Sequence, residues 1–505
     1  MKIAIIGAGF AGLSAVRVLR SFGHDVVAYE KCPDVGGVWS ATRRYPGLTT
    51  QNTKDTYSLS ELPMPKHFPQ WPTSAQVQDY MEHYVDRFDL TPYLRLSTEV
   101  TRADPRAEGG WSITTRPAEG GEEVTSEVDY LVVANGIFCE PFVPQYDGRA
   151  EFEAAGGRVR APSEVHSAEE AAGQDVVVVG YGKSACDIAA GLSDAAGSTT
   201  VVARQLIWKM PRKLGGALNY KYLMLTRLGE GLFEYLRPNK VEKVLHGPLK
   251  PVRNSMLGQL AWVATKQDSL KSLGLVPEGG FERIARSTVS LTTDGFFAKV
   301  KEGSISVVRD THITRLGAVD GRPVAELADG TTRPADLVVC ATGFRQEVPF
   351  LPQDVQQRLT DERGNFVLYR QIQPIGIPDL SFCGYNSSFF SPLSAEAAAL
   401  WIACHLEGML SLPEPEEQRR LIEERLRWME ERTEGHHARG TNLIPFSMHN
   451  VDEILDEVGV TRSKATTAKE WLMPIDPSSY RGMVEEMLAR RPAQTQVAAS
   501  AEGRS

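Results

Sequence analysis

Cysteine is scarce in this sequence, and no two cysteines stand in a C-x-x-C pair. The six cysteines are Cys32, Cys139, Cys186, Cys340, Cys383 and Cys404. Single, scattered thiols exclude a zinc ribbon and a redox-active dithiol, so no metal site is expected. They also fit a reducing compartment, and we predict a cytoplasmic protein.

The sequence also lacks an excess of positive charge and a long apolar run. Its net charge of -9 and isoelectric point near 5.7 argue against nucleic acid as a partner. No run reaches the ~18 apolar residues that suggest a transmembrane helix, so no membrane span is expected. A chain of 505 residues with 42% hydrophobic content exceeds one ordinary core and predicts two or more domains.

Four short apolar segments predict buried parallel strands. They read KIAIIG, YLVVANG, DVVVVGYG and ADLVVCATG. Each is rich in β-branched residues and ends in glycine, as expected for strands that helices cover on both faces. The first and third segments each lead into a glycine-rich turn. We therefore predict an α/β fold with two Rossmann-like dinucleotide-binding domains, one inserted in the other.

The predicted boundaries follow from that arrangement. The first domain comprises residues 1–155 and 326–460, and the second comprises 160–325 with a helical insertion at about 206–295. Residues 461–505 form a C-terminal extension whose small, polar last residues are expected to be disordered. The insertion is expected to form a pocket roof, a dimer surface or both, so a homodimer remains open.

The first glycine turn, IIGAGFAG, has the G-x-G-x-x-G spacing directly after a strand. Gly7 allows the tight turn, Gly9 lets a pyrophosphate approach, and Gly12 lets the helix pack on the strand. Glu30 ends the next strand, where a carboxylate accepts hydrogen bonds from ribose hydroxyls and repels a 2′-phosphate. This half is predicted to bind FAD or NAD. Neighbouring positions assigned to cofactor contact are Phe10, Ala11 and Lys31.

The second turn, VVGYGKSACD, has Gly180 and Gly182 with Ala185 in the third position. The strand that follows its helix ends at Arg204, where a guanidinium is suited to a 2′-phosphate. We therefore predict FAD in the first half and NADPH in the second. Further positions assigned to NADPH are Tyr181, Lys183, Ser184 and Arg212.

Past Glu30, the run EKCPDVGGVW resembles the E-x-x-x-x-x-G-G-x-W run of flavin-containing monooxygenases, which are class B flavoprotein monooxygenases. The resemblance implies that Gly36, Gly37, Val38 and Trp39 lie near the flavin. YLVVANG and LVVCATGF resemble the two family strands that link the FAD and NADPH domains. Their matching positions are Ala134, Asn135, Gly136, Ala341, Thr342 and Gly343. FFSPLSAEAAAL resembles the last flavin segment and places Leu393, Ser394 and Ala395 at a helix N-terminus facing the flavin.

The segment YPGLTTQNTKDTY resembles the family segment that passes the flavin face. Lys54 and Asp55 match its Lys–Glu pair, and they are carried over as candidate catalytic residues. The family's flavin-facing asparagine falls on Gln51, with Asn52 one place later, so either amide is a candidate.

The family fingerprint F-x-G-x-x-x-H is present only with stretched spacing. Its glycine falls on Gly156 or Gly157, between Phe152 and His166. We interpret His166 as a structural residue of the linker rather than a catalytic one.

The resemblance implies an enzyme: an NADPH-dependent FAD monooxygenase. In that family O2 adds to the flavin as a C4a-(hydro)peroxide, and one oxygen atom passes to a soft nucleophile, an amine nitrogen or a thioether sulfur. The expected partners are a small-molecule substrate and O2. Two alternatives stay open: Baeyer–Villiger oxygenation of a ketone, and a flavin reductase acting with a protein partner.

Overall fold

The computed structural model describes residues 1–286, 290–386, 388–434 and 447–492. The strands are β1 Lys2–Ile6, β2 Asp25–Tyr29, β3 Leu94–Arg95, β4 Thr98–Pro105, β5 Trp111–Pro117, β6 Val124–Val128, β7 Tyr130–Val133, β8 Glu140–Pro141, β9 Arg158–Arg160, β10 Asp175–Val179, β11 Ser198–Ala203, β12 Lys213–Leu214, β13 Leu218–Asn219, β14 Ser306–Arg309, β15 Ile313–Val319, β16 Arg322–Leu327, β17 Thr332–Pro334, β18 Leu337–Cys340, β19 Phe344–Arg345, β20 Leu368–Tyr369, β21 Gln373–Pro374 and β22 Leu380–Phe382. The residues of the tail for which disorder is predicted, from 493 on, lie outside the described residues.

The helices alternate with these strands. They are α1 Phe10–Ser21, α2 Ser74–Arg87, α3 Arg149–Ala154, α4 Lys183–Leu192, α5 Lys221–Met224, α6 Arg227–Gly231, α7 Lys240–His246, α8 Lys250–Gln267, α9 Leu270–Leu273, α10 Phe296–Glu302, α11 Gln353–Leu359, α12 Ser391–Leu406, α13 Pro415–Thr433, α14 Ser447–Val458, α15 Lys464–Glu470 and α16 Met483–Ala489. Among the described residues, none of these helices is long and apolar enough to cross a membrane.

The first sheet has five parallel strands in the order β22-β7-β1-β2-β3. Every residue of β7 is buried, as are all but the first of β1, because α1 packs on one face of the sheet and apolar residues of β4–β6 cover the other. Such strands are continuous apolar runs rather than alternating ones. Two of the four predicted strands are confirmed here, in the sheet that carries the first glycine turn.

The second sheet also has five parallel strands, in the order β14-β11-β10-β18-β9. Its centre consists of β10 and β18, the other two predicted strands. The residues of β18 are all buried, and those of β10 are buried after the first. The second glycine turn follows β10 as the first follows β1.

The second sheet is inserted in the first. Its strands all lie between β9 and β18, whereas the first sheet takes β1, β2, β3 and β7 before that region and β22 after it. The two connecting segments pair antiparallel through β8 and β19, and Phe142 N donates to Gly343 O at 2.9 Å. The predicted α/β fold with one Rossmann-like unit inside another is confirmed, while the residue boundaries of the domains stay predictions.

Helices α5–α9 and the β12–β13 hairpin lie inside the second unit, in the region predicted as a helical insertion. They are tied to the C-terminal helices by charge. His449 on α14 contacts Glu230 at 3.2 Å and Glu242 at 2.6 Å. Burial opposes the charged imidazole, but the two glutamates outweigh it and raise the pKa of His449 to about 10. The insertion therefore has fixed contacts on the rest of the protein.

Candidate active site

The first glycine turn has no spare room. Gly7 has φ +110°, which favours glycine, and a Cβ there would stand 2.5 Å from Ala134 O. A Cβ on Gly12 would stand 1.9 Å from Gly7 O, so α1 packs directly on the turn. Gly9 faces only Gly37, 3.6 Å away, where two glycine backbones approach each other. The three glycines thus have the geometry that a close pyrophosphate needs.

Glu30 closes the side of this turn. It follows β2 and is 8% exposed, and its two oxygens accept hydrogen bonds from Ala8 N at 2.8 Å and Cys32 N at 2.9 Å. These bonds fix the carboxylate beside the cleft, and its remaining lone pairs can accept from a ribose.

A cleft opens above the turn and contains most of the predicted residues of the first half. The predicted residues that line it are Gly7, Gly9, Phe10, Ala11, Glu30, Lys31, Gly37, Val38, Trp39, Ala134, Asn135 and Gly136. Gly36 and Ala395, which the resemblance also named, line it as well. Those that the sequence reasoning missed are Ile6, Tyr29, Arg43, Tyr57, Thr98, Glu99, Val100, Ile137, Phe138, Cys139, Glu140, Pro349, Phe350, Gly384 and Ser391. Gly12 packs against Gly7 instead of lining the cleft.

Aromatic rings form one wall of the cleft. Phe10 meets Tyr57 edge-on with ring centroids 5.5 Å apart, and Trp39 meets the same ring at 6.0 Å. Trp39 therefore lies in the wall of the cleft, and its nearness to a flavin stays a prediction. Tyr57 adjoins the Lys54–Asp55 segment in sequence, which was the available signal for it.

The second glycine turn repeats the first with more space. Gly180 has φ +117°, and a Cβ there would stand 2.6 Å from Ala341 O, just as Gly7 abuts Ala134. A Cβ on Gly182 would meet nothing within 4 Å. Ala185 is fully buried, so its methyl group fits where the first turn requires Gly12. Backbone space for a second pyrophosphate is present.

The cations predicted around the second turn have different surroundings. Arg204 follows β11, is exposed, and has no side-chain partner among the described residues. Lys183 instead forms an ion pair with Asp187, and Arg212 pairs with Asp294 and donates to Thr49 Oγ1 at 2.6 Å. Of these three cationic side chains, that of Arg204 could bind a 2′-phosphate without first breaking an ion pair.

Tyr181 and Ser184 also contact protein. Tyr181 is 5% exposed, and its ring packs 6.2 Å from Phe296. Ser184 Oγ accepts a 2.9 Å hydrogen bond from Tyr45 OH. The neighbouring Gly47, with φ +83°, lies where a Cβ would stand 2.7 Å from Asp187 O. The YPG run therefore packs on α4 and joins the two halves.

The two candidate amides differ in what they bind. Gln51 Oε1 accepts from Leu291 N at 3.0 Å, and Gln51 O accepts from Tyr220 OH at 2.8 Å. Asn52 is 3% exposed, and its Nδ2 has no hydrogen-bond partner among the described residues. A buried donor without a partner is costly, so Asn52 is the amide with an unmet need for an acceptor.

Lys54 and Asp55 point to different partners. Lys54 Nζ donates to the backbone oxygens of Lys66 and Phe68. Asp55 pairs with Lys221 of the insertion. Burial raises the pKa of Asp55, but the Lys221 ammonium outweighs it and the net shift is downward. Neither of these residues, nor Gln51 or Asn52, is among those that line the cleft, and their catalytic roles stay predictions.

The predicted residues of the linker between the two halves form hydrogen bonds across it. Asn135 Nδ2 donates to Glu347 O at 2.8 Å and its Oδ1 accepts from Tyr385 OH at 2.8 Å. Thr342 donates to Phe142 O. These bonds hold the crossing segments together beside the cleft.

Helix α12 begins at the cleft, and of the three residues carried over for its N-terminus Ala395 lines the cleft. Ser391 and Ala395 line the cleft, whereas Leu393 is fully buried in the core and Ser394 bonds to Ser388 at 2.8 Å. Next to them, Glu396 accepts from Ser60 N at 2.7 Å. Burial raises the pKa of Glu396 to about 7.

His166 is exposed, and its backbone N–H donates to Glu170 at 2.7 Å. Nearby, a Cβ on Gly157 would stand 2.4 Å from the ring of Phe152, so this glycine packs on the phenylalanine. His166 lies on the linker side of the second sheet and is not among the residues that line the cleft.

A dinucleotide turn beside an aromatic-walled cleft, joined by a paired linker to a second dinucleotide turn, is the arrangement of a two-cofactor flavoprotein. Comparison with protein families matches residues 1–254 to the flavin-binding monooxygenase-like family. The chain belongs to this family.

Curated relatives and solved structures agree. A probable indole-3-pyruvate monooxygenase of Arabidopsis thaliana, YUCCA9, is 30% identical over 349 residues, covering 68% of this chain and 75% of its own. Flavin-containing monooxygenase 3 of Macaca mulatta is 24% identical over 499 residues, covering 94% and 85%. The closed crystal structure of cyclohexanone monooxygenase has a TM-score of 0.68 at 18% identity, covering 90% of this chain and 96% of that one.

Membership of this family makes the protein a monooxygenase that uses FAD, NADPH and O2 on a small molecule. The residues present fit the cofactors, since Gly9 in the cleft and Gly182 in the second turn leave backbone room for two pyrophosphates. The negative charge of Glu30 suits ribose hydroxyls, and the positive charge of Arg204 suits a 2′-phosphate.

Proposed function

We propose that this enzyme transfers one oxygen atom from O2 to a soft nucleophile, an amine nitrogen or a thioether sulfur of a small molecule. One observation carries the assignment of FAD to the first half and NADPH to the second. The residues that follow matching strands have opposite charges, Glu30 after β2 and Arg204 after β11. The resemblance to flavin-containing monooxygenases, in which oxygen passes to an amine nitrogen or a thioether sulfur, supports the soft nucleophile, and the similarity to flavin-containing monooxygenase 3 extends along 94% of the chain.

Each half then has a separate task. The cleft that Gly9, Glu30 and Trp39 line would hold FAD, and the turn at Gly180–Ala185 with Arg204 would hold NADPH. Bound FAD supplies the redox chemistry and the activation of O2. The protein binds and orients both cofactors, and the buried aromatic wall excludes water from the reacting face. The residues 1–155 and 326–460 would form the FAD domain and 160–325 the NADPH domain.

Asn52 is the amide that we assign to the reacting site. Its Nδ2 is buried without a partner, whereas the side-chain carbonyl of Gln51 is already bonded to Leu291 N. A fixed N–H donor there would hold an oxygen or a nicotinamide carbonyl in place. The helix N-terminus at Ser391 would favour negative charge that develops beside it.

Product analysis tests the acceptor. The enzyme is supplied with NADPH, O2 and a tertiary amine, a dialkyl sulfide or a cyclic ketone, and omission of NADPH is the control. We expect an N-oxide and a sulfoxide, with the ketone unchanged. A lactone from the ketone without product from the other two would overturn the soft-nucleophile assignment. NADPH oxidation without an oxygenated product from any of them would favour the reductase alternative.

Two isosteric variants test the amide. Asn52→Asp and Gln51→Glu each remove an NH2 group while keeping a carbonyl-type oxygen, so Gln51→Glu retains the acceptor for Leu291 N. We expect Asn52→Asp to lower product per NADPH by about tenfold or more, and Gln51→Glu to stay within about twofold of the wild type. The reverse order would assign the role to Gln51.

A further inference from the structure

The segment that carries Asn52 contacts residues 66–72 of the first half, and it also contacts residues of the insertion. Tyr220 OH donates to Gln51 O at 2.8 Å, and Leu291 N donates to Gln51 Oε1 at 3.0 Å. Lys221, next to Tyr220, forms an ion pair with Asp55. Three contacts therefore reach from the insertion to residues 51–55. One is to the backbone oxygen of Gln51, one is to the side chain of Gln51, and one is to the side chain of Asp55.

Of the residues that make these three contacts, Lys221 carries a charge, and its ammonium is largely buried. Its side chain is 10% exposed, whereas that of Asp55 is 51% exposed. An enclosed ammonium needs a partner, since the cost of removing it from water must be offset. Its backbone is fixed as well, because Lys221 N donates to Asn219 Oδ1 at 3.0 Å at the start of α5.

We propose that Lys221 is a positioning residue for oxygen transfer: its ion pair with Asp55 fixes the segment 51–55 and thereby the amide of Asn52. This rests on the proposed function of that amide. Lys221 is not among the residues that line the cleft, and it acts through Asp55. The insertion thus takes part in the reaction by holding the flavin-facing segment in register.

The consequence is a change in coupling between NADPH oxidation and product. With the amide in place, NADPH, H⁺, O2 and substrate S give NADP⁺, H2O and SO. With the amide displaced, NADPH, H⁺ and O2 give NADP⁺ and H2O2, and the substrate is unchanged. Both reactions use the two electrons of NADPH, so the ratio of H2O2 to SO reports the position of the segment.

The test uses the FAD-loaded full chain with Lys221→Met, Asp55→Asn and the exchanged pair Asp55→Lys/Lys221→Asp. Lys213→Met is the matched control, because Lys213 is an exposed lysine on the adjacent hairpin. We expect each single variant to lower product per NADPH by about tenfold, with H2O2 rising to balance it. The exchanged pair should recover much of the loss, and Lys213→Met should match the wild type.

Hydrogen–deuterium exchange of the amides of residues 49–56 gives a readout that needs no substrate. We expect faster exchange in both single variants, return toward the wild-type rate in the exchanged pair, and no change in Lys213→Met. If Lys221→Met does not fold, Asp55→Asn decides, since Asp55 is half exposed. Unchanged exchange and unchanged coupling in Asp55→Asn, or an exchanged pair no better than the single variants, would overturn the proposal. If the wild type oxygenates no substrate, the proposed function fails while the exchange experiment still decides whether Lys221 holds the segment.

Discussion

The first turn allows no side chain at its third glycine, where a Cβ on Gly12 would stand 1.9 Å from Gly7 O, whereas the second turn accommodates Ala185. The middle positions differ in the same direction, since Gly9 faces Gly37 at 3.6 Å and Gly182 faces nothing within 4 Å. Matching backbones therefore differ in how tightly they are enclosed. A closed turn suits a cofactor that stays bound, and an open one suits a cofactor that is exchanged in every cycle.

The largest effect is expected from filling the closed turn. In Gly12→Ala the added methyl group meets backbone that cannot move without separating α1 from β1, so we expect loss of FAD and a fall in the free energy of unfolding of about 3 kcal/mol or more. FAD absorbance per protein and chemical denaturation measure the two effects.

The matched change in the open turn is Gly182→Ala. Because a Cβ there meets nothing within 4 Å, stability should change by less than about 1 kcal/mol, while the KM for NADPH rises as the methyl group enters the phosphate space. Equal loss of stability in the two variants would contradict the difference between the turns.

Two buried carboxylates, Asp187 in the second half and Glu396 in the first, differ in whether a cation is bonded to them. Asp187 on α4 is paired with Lys183, whereas Glu396 on α12 accepts from Ser60 N and Oγ. Arg17 and Glu61 are the other charged groups that act on Glu396, and burial raises its pKa to about 7. The unfolded-state value is near 4.5, so the folded protein binds the proton more tightly and its stability falls as pH rises through this window.

We expect the free energy of unfolding to fall by about 2–3 kcal/mol from this group between pH 4.5 and 7. In Glu396→Gln that component should disappear, and denaturation curves at several pH values measure it. If the variant and the wild type have the same pH dependence of the free energy of unfolding, folding does not raise the pKa of Glu396.

The next effect concerns the residues that follow the second strand of each half. In Arg204→Gln the predicted contact with the 2′-phosphate is lost, and a charged hydrogen bond corresponds to about 10–100-fold in KM for NADPH. The KM for NADH should hardly change. Glu30→Gln is the matched variant, for which we expect weaker FAD binding and an unaltered preference between NADPH and NADH. A rise of both KM values by the same factor in Arg204→Gln would remove Arg204 from the 2′-phosphate.

The turns could be predicted because their signals are local. Gly7 and Gly180 adopt positive φ directly after strands, and Glu30 and Arg204 follow the next strands, so a short window of sequence contains the whole pattern. The four buried strands were likewise predicted from continuous apolar runs. Nothing in this pattern depends on distant parts of the chain.

The ion pairs and the far wall of the cleft could not be predicted in this way. Lys221 meets Asp55 across 166 positions of sequence, and Arg212 meets Asp294 across 82. Pro349 and Phe350 reach the cleft only because the chain returns to the first sheet after the inserted unit. Such contacts are set by how the units pack, and a single sequence has no local signal for them.

The smallest expected effect lies at the contact between the two halves. Tyr45 OH donates to Ser184 Oγ at 2.9 Å, and burial together with nearby Asp187 raises the pKa of this tyrosine, so the hydroxyl stays protonated as a donor. Tyr45→Phe removes one neutral hydrogen bond and leaves Ser184 at the edge of the second turn, where a change of about 0.5–1.5 kcal/mol in the free energy of unfolding is expected. If the open turn depends on this contact, the KM for NADPH should rise by about threefold while FAD content stays constant. Ser184→Ala is the matched change from the other side, and the double variant should add nothing to either single one because both remove the same bond. Additive losses would show that Tyr45 and Ser184 stabilise the two halves separately, and the YPG run would then be a feature of the closed half alone.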